Sequence, residues 1–136
     1  MGRLIDASIL IAAERGRLDL RRELVARQAT GVRISVITAS EILHGIARAT
    51  EAATRARRSA FVEQLLIDFP ILDIDLETAR VHAQLWADLQ RSGTIIGHHD
   101  LWLAASALRH GMQVVTANES EFKSVPNLLV ENWLTP

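Results

Sequence analysis

Three carboxylates in this chain sit in settings where a charge is unexpected. Asp6 lies in LIDASILI, Glu41 in SEILHGI and Asp100 in HHDLWLAASAL. All three have apolar neighbours and no lysine or arginine four residues away on the same helical face; Arg48 and Arg109 stand only at more distant turns. Further oxygen donors, Asn118, Glu119 and Glu121, follow the apolar run QVVT. Two unit charges 4 Å apart repel by roughly 4 kcal/mol at an effective dielectric near 20. Acids gathered at one place must therefore hold protons to higher pH or share a cation. The chain has no cysteine, and a set of hard oxygen ligands selects Mg²⁺ or Mn²⁺ over Zn²⁺. Such a cation activates water and stabilises phosphate oxygens in an in-line displacement. The chemistry implied is phosphoryl chemistry, with no serine or histidine nucleophile required.

Each residue also has an ordinary reading. Asp6 suits a helix cap, Glu41 a helix surface, and Glu119 and Glu121 a solvated turn. Asp100 suits a helix N-terminus, where the dipole favours an acid by about 0.3–1 kcal/mol. The choice depends on whether the elements bring these positions together.

The elements can be read in order. RLI at residues 3–5 is a short apolar strand, after which Ser8 caps a helix to about Arg15, stopped by Gly16. Asp19 opens a helix through about Ala29, with Gly31 as its stop. VRISV, residues 32–36, is a β-branched strand, and Thr38 opens a helix through about Ala49. An arginine-rich amphipathic helix runs from about Glu51 to Asp68 and is closed by Pro70. ILDI is a strand, and Asp75 caps a long helix to Ser92. The next helix spans about His98 to His110, QVVT at 113–116 is a strand, Glu119–Phe122 forms one helical turn, and LLVENW holds a last strand. Short apolar strands alternating with helices predict an α/β fold with a central parallel sheet covered by helices on both faces. In such sheets the working site lies beyond the carboxyl ends of the strands, where these acids recur. No linker or repeat interrupts the pattern, so a single domain over 1–136 is expected.

Composition narrows the partners. A net charge of −1 argues against a protein that coats nucleic acid indiscriminately. It leaves room for a local basic patch, since arginines cluster in ERGRLDLRRELVAR and RATEAATRARR. Solvated helix faces account for most such runs, although guanidinium groups suit phosphates. No apolar stretch approaches the ~18 residues of a membrane span, and the N-terminus lacks a signal-peptide pattern. With cysteine absent, a cytoplasmic location is expected.

The motifs together resemble the PIN domain family, and within it the VapC ribonuclease toxins of toxin–antitoxin pairs. LIDASILIA is similar to the family's opening, ISVITASEILHGI to its second motif, GTIIGHHDLWLAASALRHG to its third, and VVTANESEF with VPNLLVENW to its close. The likeness covers essentially the whole chain. It implies a metal-dependent endoribonuclease with an acidic quartet at Asp6, Glu41, Asp100 and one position after Thr116. Asn118 and Glu121 rank equally for that fourth place, with Glu119 behind. Two departures stand out: Ala7 replaces the usual threonine, and Asn118 stands where some relatives carry aspartate. Ser8 and Thr116 would support the metal's ligands from outside.

The resemblance also implies a mechanism and partners. Asp6 and Asp100 would hold Mg²⁺ (or Mn²⁺), and Glu41 would orient or deprotonate the attacking water, with or without touching the metal. Arg15, Arg17 and Arg48 would grip RNA phosphates. A VapB-type antitoxin would cover the site, and the chain would form a homodimer. His98 and His99 suggest a general base or nitrogen ligand, but a loop histidine more often meets solvent or substrate. His44 belongs at the rim. Gly45 is read as allowing close packing, and Trp86, Trp102 and Trp133 as packing rather than base-stacking residues. Two rival readings are a catalytically silent RNA- or protein-binding module and a phospho-accepting receiver-like domain. The receiver is disfavoured by the single acid after the first strand and by Lys123 as the only lysine.

Overall fold

The computed structural model describes residues 1–134; the last two residues of the expected domain lie outside the described residues. Its elements are β1 (Arg3–Ile5), α1 (Ala7–Glu14), α2 (Leu20–Ala26), β2 (Val32–Ser35), α3 (Val36–Arg48) and α4 (Ala52–Asp68). They continue with β3 (Ile71–Leu72), α5 (Leu76–Arg91), α6 (His98–His110), β4 (Gln113–Val115), α7 (Glu119–Phe122) and β5 (Val130–Glu131). The five strands form one sheet in the order β3-β2-β1-β4-β5. Every pairing is parallel, with Arg3 opposite Val32, Leu4 opposite Val114, Ser35 opposite Leu72 and Val115 opposite Glu131.

The period-2 alternation of strands explains the layering. Leu4 and Val114 point to one face, where Leu85 and Leu89 of α5, Leu101 and Leu103 of α6, and Phe122 pack on them. Ile5 and Val115 point to the other face, against Ile9 and Leu10 of α1, Ile42 of α3 and Val62 and Leu65 of α4. Both faces are therefore covered, which is why the strands read as unbroken apolar runs. Burying each such side chain contributes roughly 1.5–3 kcal/mol.

Four boundaries differ from the sequence reading. Asp6, not Ser8, is the N-cap of α1, its Oδ1 accepting from the Ala7 N–H at 2.9 Å. α3 begins at Val36 rather than Thr38, because the Ser35 hydroxyl accepts from the Ile37 N–H and overrides the strand preference of Val36 and Ile37. α2 stops at Ala26, short of Ala29, as Gln28 turns to φ 48°. Only Ile71–Leu72 of ILDI pairs as a strand.

The topology selects one place for a site. From β1 the chain builds outward to β2 and β3 on one side, then crosses to β4 and β5 on the other. A crevice opens outside the carboxyl ends where the order reverses, between β1 and β4. Asp6 leaves β1 there, and Thr116 to Asn118 leave β4 there.

Candidate active site

Asp6 is held on every side. It is 4% exposed, and its backbone N–H donates to the Val115 carbonyl at 2.8 Å, tying the β1 end to β4. Oδ2 accepts from the Ser8 hydroxyl at 2.8 Å and from the Thr116 hydroxyl at 2.8 Å. Ser8 Oγ in turn accepts from the Ala117 N–H at 3.0 Å, and Thr116 Oγ1 from the Asn118 N–H at 2.9 Å. These bonds fill Oδ2 and leave one lone pair of Oδ1 beyond the Ala7 N–H. With Ala7 lacking a hydroxyl, Ser8 and Thr116 supply the hydroxyls around this carboxylate.

Asp100 is placed differently. It occupies the third position of α6, whose N-cap is Gly97, and among the described hydrogen bonds its carboxylate accepts none. Burial pushes its carboxyl up to about 6, reinforced by the charges of Asp6, Glu41 and Glu121 and opposed by His99. Glu41, on α3, is likewise raised, first by burial and then by Asp6, with His99 again opposing. Three acids from separate elements, Asp6, Glu41 and Glu121, thus bear on Asp100 across the crevice mouth.

Of the three candidates after Thr116, Glu121 is the one whose charge reaches Asp100. Asn118 caps α7 without using its side chain. Glu119, in the same turn, is not among the groups that act on Asp100. Among the described residues, no three His, Asp or Glu side chains already converge tightly enough to enclose a cation. The donor set itself fits a hard divalent cation: a preorganised Asp6, an Asp100 with both oxygens uncommitted, and two further acids.

The two neighbouring histidines point to different places. His99 Nδ1 lies 3.6 Å from Glu41 Oε1. His98 stands edge-on to Trp86, with ring centres 6.3 Å apart. Trp86 in turn meets His82, which is buried and stacked on Trp102 at 3.6 Å. Trp133 is also buried, donates its indole N–H to Glu131 and lies under the Arg27 guanidinium.

A groove of about 90 Å³ runs between α1, α3 and α4, with Glu41 among its lining residues. Leu10, Ile42, Val62 and Leu65 make it apolar, while Arg15, Arg48 and Arg58 bring cationic groups to it. Arg15 and Arg48 therefore share a groove with Glu41; Arg17 does not line it. Arg58 was missed from the sequence, although the arginine-rich α4 signalled it. Its Nη1 donates to the Gly45 carbonyl at 3.3 Å, and its Nε lies 3.7 Å from Glu14 Oε1. His44 lines the groove, as expected of a rim residue. The packing role expected of Gly45 is not observed: a Cβ there would meet nothing within 4 Å. Gly45 lines the groove.

Comparison with known proteins agrees with this architecture. The family model described as PIN domain matches residues 3–128. Ribonuclease VapC1 of Rickettsia felis is 35% identical over 130 residues, which is 96% of this chain and 95% of that protein. The tRNA(fMet)-specific endonuclease VapC of Salmonella typhimurium is 30% identical over 130 residues, 96% of each chain. A chain in the crystal structure of VapBC2 from Rickettsia felis, bound to a DNA fragment from their promoter, superposes with a TM-score of 0.86. It is 28% identical, and the match covers 98% of this chain and 99% of that one. With its acids at the carboxyl edge of the sheet, the chain belongs to the PIN domain family, in its VapC branch.

Proposed function

We propose that this chain is the toxin of a type II toxin–antitoxin pair, an endoribonuclease that hydrolyses RNA phosphodiester bonds with a divalent cation. The observation that carries this reading is the gathering of acids from separate elements at the switch point of the sheet, where the charges of Asp6, Glu41 and Glu121 all bear on the partly buried Asp100. Asp6 and Asp100 are the residues that would hold Mg²⁺ or Mn²⁺, with Glu121 completing the acidic set and Asn118 offering an amide oxygen beside it. When bound, the cation supplies charge stabilisation on the phosphate and a more acidic water. Ser8 and Thr116 keep Asp6 in one rotamer, so its free lone pair points at a defined place. Glu41 orients the attacking water and accepts its proton, a task suited to a carboxylate whose basicity is raised by burial. Arg15 and Arg48 lie along the groove from Glu41 and suit flanking phosphates; Arg17, outside the groove, is the weaker candidate.

The same groove suits a partner. Relatives of solved structure are complexes such as VapBC2, and an apolar channel edged by arginines accommodates the segment of a VapB-type antitoxin that would mask Glu41. Homodimerisation, a cytoplasmic location and one PIN domain spanning residues 1–136 complete the proposal. Among the described residues no helix is long and apolar enough to cross a membrane.

The test is cleavage of total cellular RNA and of initiator tRNA, the substrate named for the Salmonella relative. Wild type and Asp100→Asn are compared with Mg²⁺, Mn²⁺ or EDTA. Discrete fragments that require metal and disappear in the variant are expected. Cleavage by Asp100→Asn at the wild-type rate would overturn the assignment.

A further inference from the structure

The crevice holds one basic side chain whose partner is specific. Of the groups that act on Glu41 or Asp100, His99 is the only one that lowers either carboxyl. It stands at the second position of α6, and α3 packs against this helix. Successive helical residues project about 100° apart, which separates the two histidines. His98 turns toward Trp86 of α5, and His99 turns across the helix crossing toward Glu41.

We propose that His99 is a positioning residue for Glu41, its Nδ1–H fixing the orientation of the Oε1 carboxylate that faces the attacking water. The proposal rests on the ribonuclease reading above. Among the described hydrogen bonds Glu41 receives none from any other residue, so without His99 a three-torsion side chain is left to wander at the edge of the groove. The separation of 3.6 Å lies just outside the ordinary hydrogen-bond range. The His99 side chain is 60% exposed and free to close it by a small rotation. The contact joins α3 to α6, the two helices that carry Glu41 and Asp100. Holding Glu41 therefore also sets its place relative to the other acids.

The atom involved dictates the test. Nδ1 lies two bonds from Cβ, as does the amide nitrogen of asparagine, whereas the glutamine amide reaches one bond farther, where Nε2 stands. His99→Ala is expected to lower kcat about tenfold, the order expected when an oriented charged hydrogen bond is lost, with KM for RNA within about twofold of wild type on the same reasoning. His99→Asn restores most of kcat, and His99→Gln does not. In the metal-free protein, Glu41→Gln shifts the His99 Nδ1 nitrogen resonance, while Glu63→Gln, on an exposed turn of α4, leaves it in place. Wild-type kcat in His99→Ala, equal loss in all three variants, a loss confined to KM, or an unmoved Nδ1 resonance in Glu41→Gln would each overturn the proposal. Failure of the ribonuclease reading looks different: wild type itself then cleaves no RNA with any metal, while the resonance test still reports on the contact.

Discussion

Removing the charge of Asp100 should make the metal-free protein more stable while abolishing its activity. In the absence of a cation, ionised Asp100 faces Asp6, Glu41 and Glu121, and its carboxyl rises from 3.8 to about 6. That difference corresponds to roughly 3 kcal/mol of opposition to the charged form. Asp100 is only partly buried, so solvent screening leaves about half of it, near 1.5 kcal/mol. Asparagine forgoes the favourable helix-dipole interaction of an acid at this position, about 0.5 kcal/mol. The net gain for Asp100→Asn is about 1 kcal/mol, or roughly 3–5 °C in Tm for a domain of this size.

The sign follows from the raised value. A carboxyl that binds its proton more tightly in the folded state contributes stability below its unfolded value, and that stability is lost as pH rises through about 6. The advantage of Asp100→Asn is therefore full at pH 7.5, about half as large at pH 5 and nearly gone at pH 4, by the same linkage. The assay is thermal or urea unfolding of both proteins in EDTA at those three pH values, repeated with Mg²⁺. Saturating Mg²⁺ stabilises wild type, by about 2.7 kcal/mol at a hundred times Kd, and leaves the variant almost unmoved. A variant no more stable than wild type in EDTA at pH 7.5, or a gap that ignores pH, would refute the crowded-acid account of the site.

Other consequences follow from single residues. Thr116→Val keeps the shape of the side chain but leaves the Asn118 N–H without its acceptor and removes one donor from Asp6; urea unfolding should show a loss of about 1–3 kcal/mol, and RNA cleavage should fall with it. His82 is buried against Trp102, and burial lowers its pKa, with His98 adding to the effect. The unfolded chain takes up this proton more readily, so stability from His82 is present above about 6.5 and lost as pH falls. His82→Phe should flatten that acid limb in melting curves recorded from pH 7 down to pH 5. Gly45→Ala adds a Cβ that meets nothing within 4 Å inside a helix, so Tm should rise in keeping with about 0.5–1 kcal/mol. Affinity for a groove-bound antitoxin segment, read by calorimetry, should fall.

The sequence by itself determined the architecture and the edge on which chemistry would occur. Short apolar runs such as RLI and QVVT could be buried on both faces only in a parallel sheet, and helices had to supply the cover. Capping residues at Asp19 and Asp75 marked helix starts because their side chains satisfy backbone N–H groups within the same turn. Asp6, Glu41 and Asp100 stood out because acids in apolar surroundings need a reason that propensity does not supply. Ser8 and Thr38 were read as helix starts in place of the true caps, Asp6 and Ser35, for a related cause. A β-branched neighbour and a second hydroxyl offered equally plausible local patterns, and the strand ends that chose between them were set by pairing with distant residues.

What remained depended on the relative phase of elements far apart in the chain. The Thr116 hydroxyl reaches Asp6 across 110 residues because β1 and β4 are paired in register. Glu121 rather than Glu119 acts on Asp100 because the α7 turn is oriented by Phe122 in the core. His99 meets Glu41, His98 meets Trp86, and Arg58 rather than Arg17 joins the groove, for the same kind of reason. Spacing along a helix states which residues share a face, but only the packing of α3, α4, α5 and α6 around the sheet decides what each face confronts.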